Sequence, residues 1–80
     1  MRHREGDEVA IFRAPNSRPS EVLEIATVLH AGPVFIQLHD GRMFATVGGM
    51  GLNTVGWITV ARGEHWAALE RRGVSPATGP

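Results

Sequence analysis

The run Val34-Phe-Ile-Gln-Leu-His-Asp-Gly-Arg-Met-Phe44 constrains the fold more than any other part of the chain. Two alternating apolar segments meet at Asp40-Gly41, a dipeptide that reverses the chain between antiparallel strands. A two-residue type I′ turn would pair His39 with Arg42 and set Phe44 opposite Gln37. A type I turn over Leu38 to Gly41, with Gly41 left-handed as a G1 bulge, instead pairs Leu38 with Arg42 and Ile36 with Phe44. Only the second register puts Ile36, Leu38 and Phe44 on one face. The spacing therefore predicts a bulged hairpin and an antiparallel sheet at the centre of the protein.

The flanking segments extend that sheet. Gly6-Asp7 opens the domain, and Glu8 to Arg13 alternates as a first strand with Val9 and Ile11 on the core face. Ala14 to Ser20 has the proline, asparagine and serine of a loop. Residues 22–30 fit two patterns. Ser20 as a cap, Glu21 and Glu24 in a first turn and Gly32-Pro33 as a stop would make a helix. Leu23, Ile25, Thr27 and Leu29 fit a two-residue period instead, and the β-branched Ile25, Thr27 and Val28 favour strand. Strand is the preferred reading, curved by a bulge. Strands three and four are expected at Val34–Leu38 and Arg42–Val47, followed by the glycine-rich loop Gly48–Asn53 and a short strand at Gly56–Val60. From Gly63 the pattern becomes helical. Glu64 lies in the first turn, Trp66 and Leu69 share the face that docks on the sheet, Arg71 and Arg72 stand near the end, and Gly73 follows as a C′ residue.

Eighty residues make one small domain: an N-terminal arm 1–5, a body 6–72 and a flexible tail 73–80. With no cysteine, neither a disulfide nor a thiolate is available. The polar start, the absence of a long apolar run and the lack of cysteine lead to the expectation of a cytoplasmic protein with no membrane segment. Eight basic residues, all arginine, cancel eight acidic ones. That balance disfavours a dedicated nucleic-acid binder, whose affinity rests on neutralising phosphates.

The Gly-Asp opening, five short strands and the Phe35-Ile-Gln-Leu-x-Asp-Gly-Arg-x-Phe44 hairpin resemble small SH3-like or KOW-like barrels over residues 6–60. The resemblance implies a mainly β fold: a five-stranded antiparallel barrel, here with a short C-terminal α-helix. Such barrels are adaptor modules, nucleic-acid modules or parts of larger machines. Val60-Ala-Arg-Gly-Glu-His-Trp-Ala-Ala-Leu69 is similar to the helix appended to such barrels in small uncharacterised bacterial or phage proteins. Gly6-Asp-x-Val9 and Ala68-Leu-Glu-Arg71 are similar to plasmid-type dihydrofolate reductase, but that enzyme's Val-Gln-x-Tyr motif has no counterpart in a chain without tyrosine.

No catalytic or cofactor motif stands out. His3, His30, His39 and His65 lack metal-ligand spacing. Glu5, Asp7 and Glu8 read as a solvated strand entry, and the Gly48–Asn53 loop completes neither a P-loop nor a dinucleotide fingerprint. Met50 and Leu52 either plug one barrel end, the preferred reading, or stand out as anchors for a partner. In the bulged register Phe35, Gln37, His39 and Met43 face outward, and Trp57, opposite in phase to Ile58, joins them. Either the C-terminal helix covers this face or the face is an interface. The expected function is a non-catalytic interaction module that binds a protein partner or its own copy. The alternatives are a nucleic-acid module using Arg13, Arg18 and Arg42, and a small enzyme whose site forms only in an oligomer.

Overall fold

A computed structural model describes residues 3–73. They form β1 (Glu8–Phe12), β2 (Glu24–Ala31), β3 (Phe35–Leu38), β4 (Met43–Ala45), β5 (Trp57–Val60) and α1 (Gly63–Arg71), with a 3-10 turn at Pro19–Glu21. The fold is mainly β: the strands run antiparallel in the order β4-β3-β2-β1-β5 and curl into a half-barrel, with the single short helix after them. Met1, Arg2 and residues 74–80, which include most of the expected tail, lie outside the described residues.

The hairpin takes the bulged register. Ile36 pairs with Phe44 and Gln37 with Met43. Gly41 donates to the Leu38 carbonyl at 3.0 Å, and Leu38 donates to the Arg42 carbonyl at 2.9 Å. Gly41 has a φ of +94°, in the region that side chains with a Cβ resist. A Cβ there would meet nothing within 4 Å, so backbone strain alone opposes substitution. Gly41→Val is expected to lower stability by about 1–2 kcal/mol. An unchanged urea midpoint would refute the left-handed bulge.

β2 is a strand, bulged between Val28 and His30 where its register against β3 shifts. The helical signal around Ser20 survives only as the 3-10 turn, in which the Arg18 N–H donates to Glu21 Oε1 at 2.7 Å. β4 is shorter than expected because Thr46 to Gly48 turn away from it.

Two apolar clusters hold the domain. Val9, Ile11, Ala26, Val28, Ile36, Leu38, Phe44 and Ile58 fill the concave side. Ala10, Phe12, Val22 and Ile25 lie on the convex side under Ala68 and Leu69 of α1. β1 is therefore buried on both faces, whereas its period-two pattern marked only Val9 and Ile11. Leu69 docks as expected, at 1% exposed. Trp66 packs only at the margin of this cluster, and His65 takes the buried place beside Ala68 and Leu69. The Arg72 guanidinium donates to the Val22 carbonyl, and Gly73 (φ +70°) donates to the Glu70 carbonyl, closing the helix as a C′ glycine.

Candidate functional site

The glycine-rich segment after β4 is a closing strand for the half-barrel. Phe44 bridges Gly51, and Met50 bridges Trp57. On the β4 side Ala45 donates to the Met50 carbonyl and Leu52 to the Met43 carbonyl, each at 2.8 Å. On the β5 side Gly51 donates to the Gly56 carbonyl at 2.7 Å, and Ile58 to the Gly49 carbonyl at 2.9 Å. The segment thus links the two edge strands, which would otherwise expose unpaired backbone.

Strand alternation then places its side chains. Gly49 and Gly51 take the inward positions, where a Cβ would overlap the carbonyls of Ile58 and Thr54 respectively. Met50 and Leu52 must point outward, at 51% and 50% exposed. This corrects the preferred reading that they plug the barrel: the inward space is already taken by backbone.

Outward phase brings most of the sequence-selected residues together. Phe35 pairs with Ala45, Ala45 neighbours Met50, and Met50 bridges Trp57, which pairs in turn with Phe12 of β1. The adjacent row runs Gln37, Met43, Leu52. Side chains paired across neighbouring strands share a face. Phe35, Met43, Met50, Leu52 and Trp57 therefore form one apolar stripe across β3, β4, the closing segment and β5. His39 does not join it, since it lies exposed in the β3–β4 turn. Asn53 fastens the stripe's end: its Oδ1 accepts the Met43 N–H at 2.8 Å and its Nδ2 donates to the Gly41 carbonyl at 3.1 Å. His30 borders the stripe, its ring centroid 5.7 Å from that of Phe35. The apolar side chains Val34, Val47 and Val55 are exposed in the flanking loops.

The helix does not cover this surface. It sits on β1, β2 and the 3-10 turn, and approaches the stripe only at Trp57, whose pair Phe12 lies under the helix. Of the two expectations for the hairpin's outward face, coverage by α1 is the one the structure removes.

The three arginines of the nucleic-acid alternative have different surroundings. Arg42 donates from Nη2 to Glu24 Oε1 at 2.5 Å and from Nε to Asp40 Oδ2 at 2.7 Å. Asp40 also accepts the Arg42 backbone N–H at 3.0 Å. Burial raises the Asp40 carboxyl, but these contacts with Arg42 outweigh it and hold the group below its ordinary range. The Arg42 guanidinium is thus committed to two carboxylates of the sheet, Asp40 in the hairpin turn and Glu24 of β2. Arg13 and Arg18 stand exposed in and beside the β1–β2 loop. Among the described residues no three His, Asp or Glu side chains converge on a point where a metal ion would sit. No helix there is long and apolar enough to cross a membrane.

The signal for the closing segment was in the chain, as the small-large alternation Gly49-Met-Gly-Leu52. It reads as loop because two glycines in four residues weaken any isolated strand. Compared with known proteins, the chain matches no family model, no curated protein and no solved structure.

Proposed function

We propose that this protein is a non-catalytic, cytoplasmic interaction module that pairs with a second copy of itself through the Phe35–Met43–Met50–Leu52–Trp57 stripe. The observation that carries the reading is the alignment of five large apolar side chains on one sheet face, with Met50 and Leu52 exposed and Phe35, Met43 and Trp57 half-buried around them. Aromatic and methionine side chains are the types enriched at interface cores. The stripe holds no charged residue, and the chain's net charge is zero, so two copies meet without long-range repulsion. The SH3-like resemblance fits the same reading, since such barrels serve as adaptors. The ion pairs of Arg42 and the neutral balance count against phosphate binding as the main role.

Sedimentation equilibrium of the whole chain up to millimolar concentration tests the proposal. Dimerisation is expected, weakened about 100-fold or more by Met50→Glu with Leu52→Glu, as loss of two central anchors implies. Circular dichroism should show both proteins folded, because these side chains point away from the core. Phe35→Glu with Met43→Glu should act in the same direction. A wild type that stays monomeric throughout overturns the self-pairing. Salt-dependent retention on single-stranded nucleic acid, lost on replacing Arg13 and Arg18, would put the alternative module in its place.

A further inference from the structure

Among the described residues, His65 is the only buried polar or charged side chain, at 4% exposed. It stands at the third position of α1, and its Nδ1 accepts the N–H of the N-cap residue Arg62 at 2.9 Å. That place in a capping box usually belongs to Glu or Gln, whose side chain reaches back to the N-cap N–H in the same way. The bond requires a neutral ring with its proton on Nε2. The Phe12 ring meets the imidazole edge-on, at 5.5 Å between centroids and 71° between planes.

We infer that His65 is a pH-operated latch for α1: protonation releases the helix from the sheet and uncovers Ala10, Phe12, Val22 and Ile25. An imidazolium cannot accept the Arg62 N–H, and it sets a positive charge at the positive end of the helix dipole. Its surroundings compensate only through Glu64, from the start of its own helix. The cleft beside it, about 340 Å³, is walled by Phe12 of β1, by Asn16, Ser17 and Pro19 of the loop after it, and by Trp57, Ile58 and Thr59 of β5. None of these groups ionises, and no carboxylate faces the ring from those elements. The charges that act on it come from the start of its own helix, Glu64 in favour of the proton and Arg62 against it. Burial first, and then Arg62, hold the imidazole below the ordinary histidine range, with Glu64 offsetting part of the effect. The sign follows. His65 contributes stability fully above its unfolded pKa of about 6.5, and that contribution is lost as pH falls through the lower folded value.

The test is an NMR titration of the whole chain from pH 7.5 to 4.5. It follows the His65 ring shift together with hydrogen-exchange protection of the amides of α1, β3 and β4. The ring should titrate below pH 6.5, and helix protection should fall by up to about tenfold per pH unit between pH 6.5 and that midpoint, the limit for one linked proton, and level off below it. Protection of β3 and β4 should hold over the same interval. His65→Gln keeps an acceptor for the Arg62 N–H without the titration, so its helix should stay docked across the range. The latch is overturned if α1 keeps its protection with His65 charged, or if the sheet opens together with it. Loss of helix protection at the same pH in His65→Gln would equally overturn it. Should that variant fail to fold, coincidence of ring and helix titrations in the wild type decides alone.

Discussion

Phe44→Ala is expected to cost about 3–5 kcal/mol, the range for emptying a fully enclosed aromatic site. Phe44 is 0% exposed and lies within the concave cluster. It faces Ile36 on one side and, across the closing bridge, Gly51 on the other. Gly51 has no side chain to move into the space, and Ile36 is anchored by the hairpin register. Both conditions limit collapse around the cavity. A domain of this size has a total stability of roughly 4–12 kcal/mol, so the loss is a large part of it. Urea denaturation gives the value, with an unchanged slope as the check that the unfolded state is the same. A shift below 1 kcal/mol would mean that the ring is not enclosed.

Gly49→Val is expected to cost about 2–4 kcal/mol, from two sources that can be measured separately. The backbone at Gly49 has a φ of +73°, and a Cβ there overlaps the Ile58 carbonyl. The first source is strain; the second pushes β5 away from the closing segment. Gly48→Val provides the comparison, because Gly48 has a φ of +83° but nothing within 4 Å of its Cβ position. Its cost should be the strain alone, about 1–2 kcal/mol. The excess at position 49 reports the closure. Exchange of the Ile58 and Ala45 amides should rise in Gly49→Val before that of β2, since Ile58 donates to Gly49 and Ala45 to Met50. Equal effects at the two glycines would show that the segment does not join the edges.

Closure connects these energetics to the surface proposed for pairing. Met50 and Leu52 point outward because Gly49 and Gly51 face in, and they lie beside Met43 and Trp57 because both edge strands bond to the same segment. A variant that loosens the closure should therefore weaken self-association without altering any side chain of the stripe. The His65 latch lies under α1, and of the stripe only Trp57 reaches it, as a wall of the cleft beside the imidazole. It should leave the contribution of Met43 and Leu52 to pairing unaffected over the interval in which the sheet holds, and alter at most that of Trp57.

The β3–β4 hairpin, its left-handed glycine and its core face were legible in the chain. Turn chemistry acts over four residues, and a period-two pattern allows only one register to bury Ile36, Leu38 and Phe44 together. The ends of α1 were legible for the same reason: Glu64, Arg71 and Gly73 act on the turn they belong to. His65 as a cap escaped notice because that position is read from Glu or Gln. What only the tertiary structure decided is how the sheet is covered and closed. Whether Ala10 and Phe12 are buried depends on where α1 lands, and whether Met50 faces in or out depends on backbone approach between Gly49 and Ile58. The sheet's curl brings Phe44 to Gly51 and Met50 to Trp57. Local propensity carries no record of that curl, because it arises from the packing of the whole core.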